Sequence, residues 1–171
     1  GASDDVPFRE EAPLRRTFSP YAATKAAGEQ LCSTYSHLHG LPVVSLRFFT
    51  VYGPGQRPDL AIHKFTRAIC EGRAIEQFGD GSSRRDYTYI DDIVQGIRSA
   101  ADYDAEIYDV FNLGESKTTS LTEPTASIEK AVGRKAVIER KPEQPGDMPE
   151  TWADISKARR LLGYSPKTKI A

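Results

Sequence analysis

Cysteine, methionine and tryptophan are scarce in this chain, and positive charge is not in excess. Its 171 residues include two cysteines, one methionine and one tryptophan. Cys32 and Cys70 have no metal-ligand spacing, which predicts reduced thiols in a cytoplasmic protein. The 23 Lys and Arg against 24 Asp and Glu leave a formal charge of −1. This argues against a nucleic-acid partner, because no basic surplus remains to neutralise phosphates. No apolar run approaches the roughly 20 residues that span a bilayer, so we expect no association with membranes.

The single methionine bears on where the chain starts. It is Met148, whereas the first residues are Gly1-Ala2-Ser3. Two interpretations stay open at this point: a processed or tag-derived terminus, or a piece of a longer protein.

Helical and strand patterns alternate along the chain, which indicates an α/β fold. Ser19-Pro20 is typical of a helix start, and Asp59 and Asp91-Asp92 are placed to begin two further helices. The turn Gly79-Asp80-Gly81 suggests a hairpin between two short strands. The sequence predicts helices over residues 21–38, 60–71, 91–101, 121–132 and 155–162, strands over 43–49, 74–78, 87–90, 108–113 and 136–140, and loops over 50–58 and 142–151.

Tyr21 and Lys25 stand four residues apart at the start of the first predicted helix, so their side chains share a face. An ammonium near a phenol favours the phenolate, which makes Tyr21 a candidate general base. An ordinary pair on a helix surface is the alternative. The context favours the catalytic interpretation, because a buried strand and a glycine-proline loop follow, as in cofactor-binding α/β proteins.

Polar groups suited to an anionic ligand follow this strand and the later turn. Thr50, Gln56 and Arg57 lie at the predicted carboxyl end of a parallel strand, where open α/β sheets bind ligands. Arg84-Arg85 offers two more guanidiniums that suit phosphate. A solvated loop and a charged hairpin flank are the respective alternatives. Asp86 and Asp91-Asp92 are interpreted as caps or pairing partners, since no further ligands cluster with them, and we expect no metal site.

Several motifs together carry a resemblance to a known family. They are Ser19-Pro20-Tyr21-Ala22-Ala23-Thr24-Lys25, Leu46-Arg47-Phe48-Phe49-Thr50-Val51-Tyr52-Gly53-Pro54, Arg85-Asp86-Tyr87-Thr88-Tyr89-Ile90-Asp91-Asp92-Ile93, Phe111-Asn112-Leu113-Gly114 and Gln144-Pro145-Gly146-Asp147-Met148-Pro149-Glu150-Thr151-Trp152-Ala153-Asp154. In this order, along nearly the whole chain, they resemble the extended short-chain dehydrogenase/reductases. Within that family the chain is most similar to the NAD-dependent nucleotide-sugar 4-epimerases, in particular the UDP-glucuronate 4-epimerase group.

The resemblance implies a catalytic pair and a cofactor. Tyr21 would be the base, and Lys25 would favour its phenolate and hold the nicotinamide ribose. Phe48 would also contact the cofactor, NAD. Hydride would leave the sugar C4 for NAD+ as Tyr21 takes the hydroxyl proton, and the 4-keto sugar would turn over and receive hydride on its other face.

The resemblance also implies a set of substrate contacts. Thr50 and Arg57 match positions that hold the sugar carboxylate in the glucuronate enzymes. Arg85 matches the arginine that clamps the diphosphate, and Asp147 matches the acidic residue that contacts the nucleoside ribose. A UDP-sugar is therefore the expected substrate.

One departure from the family pattern concerns the nucleotide-binding turn. The strand, Gly-x-x-Gly-x-x-Gly turn and helix that seat the dinucleotide pyrophosphate in this family do not occur in these 171 residues. We therefore expect the carboxyl-terminal part of a Rossmann-type parallel sheet plus a small α/β substrate-binding domain, without the first strands. Residues 1–60 and 91–114 would belong to the cofactor domain, and 61–90 and 115–171 to the substrate domain. The isolated chain would be inactive.

Two other functions remain alternatives. The chain could be a non-catalytic module that binds a nucleotide sugar or associates with itself, or its family reaction could be a 4,6-dehydration or a decarboxylation. Residues 43–49 are apolar on both faces and would lack their usual neighbouring strands. We therefore expect a homodimer that covers this strand, with or without the exchange of elements between the two chains.

Overall fold

The computed structural model describes residues 6–13, 16–17, 19–143 and 148–170. It confirms the α/β class. The helices are α1 (Pro20–His39), α2 (Ala61–Glu71), α3 (Ile90–Ala101), α4 (Thr122–Val132) and α5 (Ser156–Leu162). The strands are β1 (Val43–Phe48), β2 (Thr50–Tyr52), β3 (Ala74–Phe78), β4 (Arg84–Arg85), β5 (Tyr87–Tyr89), β6 (Tyr108–Leu113), β7 (Thr119–Ser120), β8 (Val137–Lys141) and β9 (Glu150–Thr151).

Parallel pairing organises most of the strands. β1 lies beside β6, β2 beside β5 and β3 beside β8, all in parallel. The chain changes partner between β1 and β2. The Phe49 N–H donates to the Leu113 carbonyl at 3.1 Å, and the next N–H, of Thr50, donates to the Asp86 carbonyl at 3.0 Å. This change places the start of β2 between the start of β5 and the end of β6.

The start of α1 follows the signal in the sequence. The Ser19 hydroxyl accepts a hydrogen bond from the Ala22 N–H at 3.1 Å, and Pro20 occupies the first helical position, where its missing N–H costs nothing. Gly40 ends the helix in the left-handed conformation, with φ of 64°. The first helix is therefore fixed at both ends by local chemistry.

Three local predictions are wrong. Asp59 does not cap α2; Leu60 stands at the cap position without a side-chain bond, and Asp59 pairs with Arg57 instead. Residues 50–52 form β2 rather than a loop. No hairpin surrounds the turn after β3, because β3 and β5 each have a parallel partner distant in sequence.

The described side chains form two hydrophobic clusters. The first joins β6, α3 and α5 and is built on Ile93, Ala100, Phe111, Leu113, Ala153, Ile155, Ala158, Leu162 and Tyr164. The second joins α2, β3 and α4 and is built on Phe65, Ala68, Ile69, Ile75 and Ile128. Residues 153–164 were assigned to the substrate domain, yet they pack in the first cluster with β6. The two-domain division remains a prediction.

Within the ranges given above, no helix has both the length and the apolar character needed to cross a membrane.

Candidate functional site

Helix α1 carries the predicted catalytic pair on its exposed face. The Tyr21 side chain is 71% exposed, and the Lys25 Nζ lies 5.5 Å from the centre of its ring. The helix is fixed against β1 by a two-pronged ion pair, in which the Arg47 guanidinium donates to the Glu29 carboxylate at 2.6 and 2.8 Å. Glu29 stands one turn after Lys25 on the same helix, so this mostly buried ion pair supports α1 close to the exposed side chains of Tyr21 and Lys25, which remain open to a ligand.

Phe48 and Thr50 lie at the carboxyl end of β1, where the sheet changes partner. Phe48 is half exposed, and Thr50 is half buried with its backbone N–H bonded to the Asp86 carbonyl. The carboxyl ends of parallel strands are where open α/β sheets bind ligands. The position of both residues therefore agrees with a binding role.

The side chain of Gln56 holds the loop after β2. From the sequence, this side chain is a candidate to contact an anionic ligand. Its Nε2 donates to the Val51 carbonyl at 2.8 Å, and its Oε1 accepts from the His63 N–H at 3.2 Å. The His63 ring also hydrogen bonds to the Gln56 carbonyl at 3.0 Å. The amide therefore stabilises the loop. These contacts give His63 a structural role.

Arg57 lies in the same loop and forms an ion pair with Asp59. Its guanidinium donates to both carboxylate oxygens of Asp59, at 3.1 and 3.0 Å, and both side chains are largely exposed. An exposed pair of this kind contributes little to stability. An incoming carboxylate would compete with Asp59 for the same donors.

Gly53 lets this loop pass close to the start of α3. Its φ is 143°, and a Cβ added there would lie 2.6 Å from the Ile90 Cγ2. Next to it, the rings of Tyr52 and Tyr89 meet edge to face at 5.5 Å. Burial, and then the negative charges of Glu115 and Asp92, raise the pKa of Tyr52 to about 12. Tyr52 therefore keeps its proton at neutral pH.

Arg84 and Arg85 form β4, between β7 and β9. The Arg84 guanidinium hydrogen bonds to Thr118: its Nε donates to the Thr118 hydroxyl at 2.8 Å and its Nη2 to the Thr118 carbonyl at 2.7 Å. Arg85 donates from Nη1 to the Arg84 carbonyl at 2.9 Å. Since Asp86 follows Arg85 and accepts the Thr50 N–H, two of the predicted substrate residues, Thr50 and Arg85, lie on adjoining segments. Asp147 lies outside the described residues.

Asp86 is the polar centre of this region, and the sequence indicates only that it is a cap or a pairing partner. Its side chain is fully buried. One carboxylate oxygen accepts from the Glu115 N–H at 2.7 Å and the Thr88 hydroxyl at 3.0 Å. The other accepts from the N–H groups of Ser116 at 3.0 Å and Ala153 at 3.1 Å. Burial raises the pKa of Asp86, and these four donors act in the opposite direction.

The partners of Asp86 explain why its role was missed. Glu115 and Ala153 are 29 and 67 residues away in the chain, so no local pattern joins them. The Arg-Asp-Tyr order after a glycine turn is the only sequence signal. Asp86, between the end of β4 and the start of β5, thus connects these strands to the segment after β6 and to the segment after β9.

Comparison with known proteins identifies the family. All 171 residues match the GDP-mannose 4,6 dehydratase family. The UDP-glucuronate 4-epimerase of Thermodesulfobacterium geofontis is 42% identical over 170 residues, which make up 99% of this chain and 52% of that protein. The chain therefore belongs to this family of extended short-chain dehydrogenase/reductases, as its motifs indicate.

Solved structures agree with the fold. The UDP-glucuronic acid 4-epimerase of Bacillus cereus, solved with UDP-glucuronic acid and NAD, is 39% identical with a TM-score of 0.91, over 98% of this chain and 54% of that one. An epimerase from Methanothermobacter thermautotrophicus is 29% identical with a TM-score of 0.93, over 99% of this chain and 52% of that one. The Rossmann-type α/β class is confirmed. The chain spans about half the length of the relatives it matches.

Proposed function

We propose that this chain carries the catalytic helix and the substrate contacts of an NAD-dependent nucleotide-sugar 4-epimerase that acts on UDP-glucuronate. The observation that carries the proposal is the similarity to the Bacillus cereus enzyme, which was solved with UDP-glucuronic acid and NAD and matches 98% of this chain. The exposed Tyr21 and Lys25 at the start of α1 support it.

Tyr21 would take the proton of the sugar C4 hydroxyl and return it at the end of the reaction. Its exposed phenol leaves the oxygen accessible, and the Lys25 Nζ lies 5.5 Å from the centre of its ring. The exposed phenol and the nearby ammonium support the proposed role of Tyr21 as general base. The alternative, an ordinary surface pair, predicts that Tyr21→Phe has no effect on turnover of the full-length enzyme.

The residues present fit one end of NAD and not the other. Phe48 offers a half-exposed aromatic surface at the carboxyl end of β1, and Lys25 offers a donor on α1. These would hold the nicotinamide and its ribose. The glycine-rich pyrophosphate turn is not among the 171 residues. When bound, NAD+ accepts the hydride from the sugar carbon.

Thr50 and Arg57 would hold the sugar carboxylate, and Arg85 and Asp147 the nucleoside diphosphate. The fork of Arg57 already binds a carboxylate, that of Asp59, through two hydrogen bonds. A substrate carboxylate has the same geometry and can replace it. The exposed loop position makes this exchange inexpensive, because surface pairs of this type are worth only about 0–1 kcal/mol.

Calorimetric titration of the purified chain with UDP, UDP-glucuronate and NAD+ tests the proposal. We expect UDP-glucuronate to bind, UDP to bind more weakly, and NAD+ to bind weakly because the pyrophosphate turn is missing. Arg57→Ala should remove the preference for UDP-glucuronate over UDP. Arg67→Ala, an exposed arginine on α2 that is paired with Glu71, is the matched control. Equal affinity for UDP and UDP-glucuronate in the unaltered chain would contradict the carboxylate role.

We propose further that the isolated chain is inactive, since it lacks the pyrophosphate seat. Measurable epimerisation of UDP-glucuronate by the purified 171-residue chain would disprove this. The two free, exposed cysteines agree with the reducing environment of the cytoplasm, where we place the protein.

The proposed homodimer rests on β1. Among the described strands, only β6 pairs with it. Beside it lies an open cleft of about 730 Å³ lined by Val43, Val44, Leu46 and residues of α3 such as Ile97. An apolar strand edge of this kind is prone to association. Light scattering that gives the mass of one chain at all concentrations would refute the dimer.

The family match favours a second candidate reaction. The matching family takes its name from a 4,6-dehydratase, and a dehydratase would bind the same class of substrate. Incubation of the full-length enzyme with UDP-glucuronate and, separately, with UDP-glucose separates the two reactions. A 4,6-dehydratase needs a C6 hydroxyl to remove as water, which UDP-glucose has and UDP-glucuronate does not, whereas epimerisation converts UDP-glucuronate to its 4-epimer without loss of water. A module that binds UDP-glucuronate and never contributes to turnover is the non-catalytic alternative.

A further inference from the structure

The last residues of the chain lie on two buried carboxylates. Asp92, in the first turn of α3, accepts hydrogen bonds from the backbone N–H groups of Lys167 and Thr168, both at 3.0 Å. Glu115, whose side chain is only 4% exposed, pairs with the Lys169 ammonium at 2.7 Å. We call residues 164–169 the tail strap.

The amino-terminal end of the strap is anchored in the core. Tyr164 is 1% exposed, and its hydroxyl donates to the Gly114 carbonyl at 3.0 Å. The Ser165 N–H donates to the Gln95 Oε1 at 3.3 Å. The strap therefore lies along the start of α3 and the residues that follow β6, where it supplies hydrogen bonds to Asp92 and an ion pair to Glu115.

A first connection runs from the strap to β2. Lys169 holds the side chain of Glu115, whose backbone N–H donates to the Asp86 carboxylate at 2.7 Å. The Asp86 carbonyl in turn accepts the Thr50 N–H at 3.0 Å. Three consecutive polar contacts thus join the tail to the first residue of β2.

A second connection runs through the start of α3. Gly53 packs against Ile90, the first residue of α3, and Asp92 lies two residues further along the helix. The residue before Ile90 is Tyr89, and its ring contacts the ring of Tyr52. The charges of Glu115 and Asp92 both contribute to the raised pKa of Tyr52, so both carboxylates lie within electrostatic reach of β2. The two connections converge on residues 50–53.

We propose that the tail strap positions the substrate-binding strand β2, with Asp92 and Glu115 as positioning residues that act on Thr50 and the Gly53 loop. The inference rests on the proposed function for one point only, the role of Thr50 in substrate binding. A physical network of this type requires a coupling measurement.

Hydrogen exchange and ligand titration of single-residue variants supply that measurement. Lys169→Met removes the partner of a buried carboxylate while it replaces an exposed side chain, so the fold should persist. We expect exchange of the Thr50 amide to accelerate about tenfold and the affinity for UDP-glucuronate to fall several-fold. Lys169→Arg should restore both to within about twofold. Lys167→Met, in the same strap, keeps its backbone bond to Asp92 and should change neither.

Asp92→Asn tests the second connection independently, because its amide would face one of the two strap N–H donors. Acceleration of exchange at residues 50–53 in both variants supports the proposal. Acceleration confined to the strap and to α3, with the Thr50 amide unchanged, overturns it. If the unaltered chain binds no UDP-glucuronate, the proposed function fails, and the exchange data alone still decide whether the strap is coupled to β2.

Discussion

Asp86→Asn is the substitution that tests the packing of the candidate site most sharply. The native carboxylate is fully buried and accepts four hydrogen bonds, three of them from backbone N–H groups. An asparagine has the same shape, but one of its two terminal atoms is an NH2 group that only donates. The substitution therefore changes charge and hydrogen bonding with almost no change in volume.

Both orientations of the new amide leave donors facing donors. With the NH2 group near Ser116 and Ala153, two backbone N–H groups lose their acceptor. With the NH2 group near Glu115 and Thr88, one backbone N–H loses its acceptor, because the Thr88 hydroxyl can rotate and accept instead.

The second orientation costs less, and it sets the expected loss. One buried, unsatisfied N–H costs about 1–3 kcal/mol, and the remaining bonds lose the strength that the charge gives them, about 1 kcal/mol each. Relief of the buried charge, which is what raises the pKa of Asp86, offsets part of this. We expect Asp86→Asn to lower the free energy of unfolding by about 2–4 kcal/mol.

Urea unfolding monitored by the fluorescence of Trp152, the one tryptophan, and by circular dichroism measures this loss. Asp104→Asn, the same substitution at an exposed position, should stay within about 0.5 kcal/mol of the unaltered chain. The reasoning is refuted if Asp86→Asn and Asp104→Asn have the same unfolding free energy.

Three further predictions follow from individual positions. Gly53→Ala should lower the free energy of unfolding by about 2 kcal/mol or more, because the position has a φ of 143° and an added Cβ would lie 2.6 Å from a side-chain atom. Gly28→Ala, in open space on α1, should leave it unchanged or raise it by up to about 1 kcal/mol. Urea unfolding of both variants measures the difference. Burial alone would raise the pKa of Asp109, but hydrogen bonds from Lys157 and two other donors lower this pKa on balance. The ionised Asp109 carboxylate therefore stabilises the fold above about pH 4, and this stabilisation is lost as the pH falls below that value. Asp109→Asn should therefore lower the free energy of unfolding by about 1–3 kcal/mol at pH 7. In thermal unfolding, the difference in stability between the variant and the unaltered chain should narrow below about pH 4. A difference that is the same at all pH values would contradict the lowered pKa. Tyr21→Phe alters an exposed hydroxyl and should change the unfolding free energy by less than about 0.5 kcal/mol, a larger loss indicating a structural role.

Elements with strong local signals were predictable from the sequence. The Ser19-Pro20 start, the left-handed Gly40 and the β-branched, aromatic run after it fix α1 and β1 to within about two residues. The two-residue strands β4, β7 and β9 were missed, since two residues are too few for a periodic pattern. The hairpin was wrong for a related reason: parallel pairing is decided by distant segments, here β8 and β2.

The candidate site divides in the same way. The spacing of Tyr21 and Lys25 on one helix is a local property, and the structure places the ammonium against the ring. The role of Asp86 and the tail strap on Asp92 depend on contacts across 29 to 76 residues, which only the folded chain brings together. Gln56 was assigned to a ligand because its hydrogen bonds to Val51 and His63 could not be read from the sequence.

The central claim is that residues at the start of α1, at the start of β2 and in β4 bind a UDP-sugar. Two-dimensional NMR of the isotopically labelled chain during titration with UDP-glucuronate tests it most directly. The account predicts saturable shifts of the backbone amides of Tyr21, Thr50 and Arg85, with those of α2 and α4 unchanged. Saturable shifts confined to the cleft between β1 and α3, or the absence of any saturable shift, would contradict it.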